Sequence, residues 1–242
     1  MITILVAPDE LAAGAARVEG DAYRHLFRAR RLAVGDRVRA ADGRGRARWG
    51  EVARVDRRSA ALALGEPAPS NEPAWRLELI VAAPRRERAS WLVEKATELG
   101  AAAVRLAAAE RATRDYGPGS LDRLRRIAAA ALEQCHRAAL PEVTGIHPWD
   151  ELPALLEPAA ERWLLDPSRG ARPAAEALAP PAAGAAGALL VGPEGGWTDP
   201  ERAELTALGC LAVTLGERVL RVETAALAAL ALLFVGGHGG VR

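Results

Sequence analysis

Cysteine is nearly absent: Cys135 and Cys210 are the only two in 242 residues, far apart and without CxxC spacing. That excludes a disulfide scaffold and a cysteine zinc site, and it fits a reducing compartment. Lysine is scarcer, with Lys95 alone among 32 basic residues. A general bias toward Arg and Ala accounts for this, so arginine abundance by itself says nothing about nucleic acid. No apolar run is long enough to span a bilayer, and the longest, Ala225 to Val235, reads as a buried helix. The opening Met1–Val6 lacks the basic start of a secretion signal and reads as a first strand. The expectation is a soluble, cytoplasmic chain without membrane association. The phosphate loop GxxxxGK[ST] and the dinucleotide fingerprint GxGxxG are both missing, as are internal repeats and any cluster spaced for a metal.

What is present begins with core material, since 50% of the residues are hydrophobic. The net charge of +1 conceals an asymmetry. Arg17 to Arg58 holds 13 Arg against 6 acids, a difference of +7, whereas Asp150 to Leu205 holds 10 acids against 4 Arg. A basic N-terminal lobe on a neutral chain suits local contact with a polyanion, and suits equally a solvated basic surface.

Two regimes follow one another along the chain. Up to about residue 66 there are short strands, Ile2–Val6, Arg37–Ala40, Ala47–Asp56 and Ala60–Leu64, with a hairpin turn at Asp42-Gly-Arg-Gly45. One helical patch lies around Asp21–Arg31, and the set predicts a small β-barrel. Glu66 to Pro73 carries three prolines in eight residues and reads as a linker, dividing the chain into 1–72 and 73–242. Thereafter apolar strands (Leu77–Ala82, Val104–Ala107, Trp163–Leu165, Leu189–Gly192, Ala212–Leu215) alternate with helices (Glu87–Leu99, Leu121–Ala139, Pro200–Leu208, Glu223–Phe234). That alternation predicts an α/β domain with a largely parallel sheet.

Two loops carry the chemistry. Leu189-Leu-Val-Gly-Pro-Glu-Gly-Gly196 runs from a buried strand into glycines, and Thr198 with Glu201 then stands in capping-box spacing. Leu215-Gly-Glu-Arg-Val-Leu-Arg-Val-Glu-Thr-Ala225 likewise joins a strand to a helix. Ligands of open α/β sheets bind beyond strand carboxyl ends, where glycines admit close backbone approach, so the two loops predict one shared pocket. Spacing alone names no ligand for it.

The segments GPEGG and LGxRxLRxETA, in this order, resemble the RsmE family of SPOUT RNA methyltransferases. The stretches Lys95-Ala-Thr-Glu-Leu-Gly100, Glu110-Arg111, Glu133-Gln-Cys-His-Arg137, Pro141, and His25-Leu26 with Arg31-Leu32 and Gly35-Asp36 extend the resemblance over nearly the whole chain. Glu94, Ala112, Arg30 and Trp197 depart from the usual Gln, Ser, Leu and Phe. The resemblance implies a PUA-like β-barrel followed by a SPOUT-type trefoil-knotted α/β domain, working as a homodimer. It further implies methylation by S-adenosylmethionine of the N3 of one uridine in small-subunit ribosomal RNA, near the decoding site. Free RNA and the assembled small subunit both remain open as the partner.

On that basis Leu165, Leu190, Gly192, Pro193, Glu194, Gly195, Gly196, Leu215, Gly216, Leu220 and Thr224 are the expected cofactor-binding residues. Arg221 is expected to stabilise charge on the uridine carbonyl oxygens, with Glu223 accepting the N3 proton or orienting that arginine. The expected RNA-binding set is Arg24, His25, Arg28, Arg31, Arg85, Arg86, Arg88, Lys95, Arg111, Gln134 and Arg137. Trp91 is expected to pack inward, His136 to be exposed, and His238 to play no part. The rival readings are a non-catalytic RNA-binding assembly protein, opposed by the two intact loops, and a nucleotide hydrolase, opposed by the missing phosphate-loop lysine. A related enzyme acting on another RNA is the third.

Overall fold

The computed structural model describes residues 2–112, 116, 117, 119–168 and 170–237, so His238 lies outside the described residues. The chain forms two compact units, Met1–Glu72 with Ala129–Leu140 and Pro73–Ala128 with Pro141–Arg242.

In the first unit, β1 (Thr3–Leu5), α1 (Pro8–Ala13), β2 (Ala15–Glu19) and α2 (Gly20–Tyr23) precede the strands β3 (Arg37–Ala41), β4 (Ala47–Val55) and β5 (Ser59–Pro67). The strands form one sheet in the order β1-β3-β4-β5-β2, antiparallel except for β1 beside β3. The sheet is a half-barrel around Ile4, Val18, Tyr23, Phe27, Val38, Val52 and Leu62. Neither α1 nor β2 stands out in sequence, because β2 relies on Ala16 and Val18 alone to mark its inner face. The hairpin at Asp42 forms as expected: its carboxylate accepts from the Arg44 and Arg46 amides at 2.8 and 3.1 Å.

Residues 129–140 complete this unit. The Glu133 carboxylate accepts the Leu5 amide at 2.9 Å, and the His136 ring meets the Thr3 hydroxyl at 3.0 Å. His136 is therefore half-buried and partnered, where the sequence suggested a free surface ring. Arg137, only 4% exposed, pairs with Glu72 at 2.7 Å. Glu72 also accepts the Ala138 and Ala139 amides at 2.8 and 2.9 Å, and Arg39 donates to the Arg137 carbonyl at 3.1 Å. A guanidinium so enclosed is not offered to a polyanion.

The second unit holds β6 (Arg76–Ala82), α3 (Arg86–Glu98), β7 (Ala103–Ala107), β8 (Glu142–His147), α5 (Leu152–Leu156), β9 (Glu161–Leu165), β10 (Arg172–Pro173), α6 (Ala174–Ala177), β11 (Ala186–Val191), α7 (Asp199–Ala207), β12 (Leu211–Thr214) and α8 (Val222–Gly237). The remaining helix, α4 (Ser120–Cys135), begins in this unit and ends in the first. Leu124, Ala128 and Leu132, spaced four apart, form its buried face. Seven strands lie in the order β10-β12-β9-β11-β6-β7-β8, and every pairing is parallel. The central strands are apolar almost throughout because helices cover both faces: Leu77, Leu79, Ile80 and Val81 are at most 1% exposed. The sequence did not mark β8, whose apolar alternation is broken by Gly145. Both cysteines are free, and burial pushes the Cys210 thiol up to about 11.

The Glu72–Arg137 pair gives the first unit a pH dependence. Burial pushes the Glu72 carboxyl up, but the Arg137 hydrogen bonds and charge, with two backbone amides, hold it below its ordinary value of 4.5. A depressed folded-state value means that this stability is present above the unfolded value and is lost as pH falls through the folded one. Denaturant unfolding followed from pH 7 to 3 should show that loss, and Glu72→Ala should cost about 3 kcal/mol at pH 7 by removing the carboxylate that faces the buried Arg137 guanidinium.

Candidate active site at the carboxyl edge of the parallel sheet

Strands β12, β9 and β11 are neighbours and point the same way, so Thr214, Leu165 and Val191 end side by side. The loops that follow enclose a pocket of about 330 Å³, within the usual range for small-molecule sites. Its walls are Leu165, Asp166 and Pro167 after β9, Val191 to Trp197 after β11, and Val213 to Leu220 (less Glu217) after β12. Arg202, Val222 and Ala225 complete them.

Local chemistry explains the shape. The Trp197 indole is 4% exposed and donates to the Leu165 carbonyl at 3.2 Å, which ties the β11 loop to the end of β9. Gly192 makes that possible, because a Cβ there would stand 2.8 Å from the indole nitrogen. Gly216 turns the β12 loop with φ +109°, a conformation L side chains rarely adopt. The capping box of α7 forms as expected, Thr198 accepting from the Glu201 amide at 3.4 Å and Glu201 from the Thr198 amide at 2.8 Å. The other Glu201 oxygen accepts the Glu110 amide at 2.8 Å.

Charge is concentrated at two places. On one wall Asp166, 2% exposed, holds Arg202 at 2.8 Å, and Arg202 also donates to the Trp197 carbonyl at 2.8 Å. Near Glu194, Arg88 of α3 pairs with that carboxylate and lies 3.8 Å from Glu223. Glu223 is 8% exposed, and its Oε2 is buried without a hydrogen-bond partner among the described residues.

Of the expected cofactor residues, Leu165, Gly192, Pro193, Glu194, Gly195, Gly196, Leu215, Gly216 and Leu220 line this pocket together. Leu190 lies buried within β11 just before it, and Thr224 is exposed on α8 outside the lining. Leu220 and Val222 face the pocket, whereas Arg221 beside them is exposed and Glu223 turns toward Arg88. Sequence reasoning missed Asp166, Trp197 and Arg202 as lining residues, whereas Arg218 lies in the loop it had placed at the pocket. Asp166 could have been found as the residue that follows a strand end, but Arg202 carried no such signal.

Among the expected RNA-binding residues, Arg24, His25, Arg28, Arg31, Arg85, Arg86, Arg111 and Gln134 are exposed. Arg111 donates to the Gly195 carbonyl at 2.7 Å and so touches the glycine loop. Arg88 serves Glu194 and Glu223, and the Lys95 ammonium sits 2.7 Å from both Glu94 and Glu98. Trp91 is 45% exposed, contrary to the inward packing expected of it, because its position on α3 faces away from the sheet. Among the described residues no group of three or more His, Cys, Asp or Glu is placed to hold a metal ion, and no helix is long and apolar enough to cross a membrane.

Comparison with known proteins agrees with this geometry. Residues 70–234 match the family model of an RNA methyltransferase domain, and residues 18–64 that of an RNA methyltransferase PUA domain. The chain is 32% identical to ribosomal RNA small subunit methyltransferase E of Mycobacterium bovis, over 95% of this chain and 90% of that protein. The Synechocystis protein of the same name is 31% identical over 94% of this chain and 75% of its own length. The crystal structure of the Neisseria gonorrhoeae protein of that name, bound to S-adenosyl methionine, superimposes with a TM-score of 0.79 at 28% identity, covering 90% of both chains.

Gly192→Ala should force the buried indole of Trp197 aside and lower stability by about 1–3 kcal/mol, as overpacking does elsewhere. Chemical denaturation reads this directly, and an unchanged midpoint would mean that the indole has room to move.

Proposed function

Because the chain belongs to the RNA methyltransferase family, with a PUA domain ahead of its α/β catalytic unit, we propose that it methylates N3 of one uridine near the decoding site of small-subunit ribosomal RNA. The observation that carries this reading is the pocket built by three adjacent strand ends, taken with relatives named for that ribosomal subunit. The proposed boundary lies at residues 72 and 73, with chemistry done by 73–242 and RNA held mainly by 1–72, helped by Arg85, Arg86 and Arg111. The full reading includes a cytoplasmic homodimer and a trefoil knot. Exposed Leu232 and Val235 on α8 suit burial against a second copy.

The pocket fits S-adenosylmethionine in size and lining. Apolar walls from Leu165, Val191, Val213 and Leu220 suit an adenosine. Bound there, the cofactor supplies an electrophilic methyl group on a sulfonium, so the protein has mainly to position and to manage charge. Uridine N3 becomes nucleophilic when its proton leaves. The unpartnered Oε2 of Glu223 would take up that proton, leaving the N3 electron pair free for the methyl group that a bound cofactor would supply. The exposed guanidinium of Arg221 stabilises the negative charge that collects on the neighbouring carbonyl oxygens. Exposed Arg24, His25, Arg28 and Arg31 hold phosphates, together with Arg85, Arg86 and Arg111.

Incubating the protein with labelled S-adenosylmethionine and small subunits from cells lacking the activity should yield a single N3-methyluridine by mass spectrometry. Arg221→Ala should remove it while cofactor binding persists. Cofactor binding without that mark would redirect the enzyme to another RNA, and no binding at all would favour a scaffold. Separately, Arg31→Gln should lower the salt slope of RNA binding by about one unit.

A further inference from the structure

The Asp166–Arg202 pair has no role in the reaction described above, yet both residues line the pocket. Neither belongs to the GPEGG or LRVET loop. Asp166 follows the end of β9, and Arg202 stands in the first turn of α7, four residues after its cap Thr198. The carboxylate is 2% exposed and the arginine side chain 30% exposed. A buried ion pair is a poor way to gain stability, since an apolar pair of equal volume does as well or better. Its position on a ligand pocket calls for a chemical reason.

The geometry restricts what the pair can bind. Asp166 Oδ2 accepts Arg202 Nε at 2.8 Å, and Oδ1 accepts the Ser168 amide at 3.0 Å. Arg202 Nη1 donates to the Trp197 carbonyl at 2.8 Å. Nη1 also lies 3.6 Å from the Asp199 carboxylate, so the guanidinium is held through Nε and Nη1 beside two carboxylates that would repel a ligand carboxylate. An incoming carboxylate would also face Asp166 directly. What is left is a donor at Nη2 beside a carboxylate with lone pairs to spare. A neutral donor–acceptor couple of this kind matches vicinal hydroxyls, which donate to one partner and accept from the other.

We infer that Asp166 and Arg202 bind the ribose hydroxyls of the adenosine cofactor, with the Trp197 carbonyl and Ser168 amide holding the couple in place. The inference rests on the assignment of this pocket to S-adenosylmethionine. Arg202 then acts as a specificity residue, selecting ribose over deoxyribose and fixing the rotation of the adenosine about the pocket.

Calorimetric titration tests it with three probes: S-adenosylhomocysteine, 5′-methylthioadenosine, which keeps the ribose but lacks the amino-acid end, and 2′-deoxy-5′-methylthioadenosine. Wild type should bind the deoxy compound about tenfold more weakly than its parent. Arg202→Gln and Asp166→Asn should each weaken the first two ligands by a similar factor of about ten and erase the discrimination against the deoxy compound. Weakening of S-adenosylhomocysteine alone would place the pair at the amino-acid end and overturn the inference. Unchanged affinities with a lower melting temperature would overturn it too, leaving the pair structural. Failure of wild type to bind any of the three would instead remove the cofactor assignment itself. If Arg202→Gln does not fold, the wild-type comparison of the two nucleosides still decides, because equal affinities contradict a hydroxyl contact.

Discussion

One hydrogen bond holds the strand-end pocket in shape: the Trp197 indole donating to the Leu165 carbonyl at 3.2 Å. It joins two loops that leave different strands, and it lies where Gly192 has no side chain to block it. Around this contact the glycine loop turns into α7, whose capping box fixes Thr198 and Glu201. Arg202 from the same turn then reaches Asp166 across the pocket. The parallel register of β12, β9 and β11 delivers the three loops to one edge, and the indole keeps two of them together.

The electrostatics are largely internal. Arg137 is enclosed by Glu72, Arg88 stands between Glu194 and Glu223, and Lys95 is held by two glutamates of its own helix. A chain with 32 basic residues therefore presents fewer free cations to RNA than its composition suggests. The exposed arginines are those of the first unit and the few on the loops that enter α3 and follow β7, and the proposed function assigns RNA contact to them.

Much of this was legible in the sequence, for identifiable reasons. Continuous apolar runs such as Leu189–Val191 can be satisfied only between two layers of helices, so the parallel sheet followed from them. Glycines after those runs placed the pocket, and Thr198 with Glu201 placed the start of α7. Contacts distant in sequence were not legible. Asp166 and Arg202 are 36 residues apart, and Glu72, in a stretch that reads as linker, is 65 from Arg137. Trp91 shows the opposite failure: apolar character predicted burial, but its position on α3 left it facing solvent. Short elements such as β2 and β8 escaped because two or three apolar residues cannot set a period.

The central claim is that the three strand-end loops form a single cofactor pocket. Hydrogen–deuterium exchange with and without S-adenosylmethionine tests it most directly. The account predicts new protection together at residues 165–167, 192–198 and 215–222, with the first 72 residues unchanged. Protection confined to one of these loops, or appearing elsewhere in the chain, would contradict it.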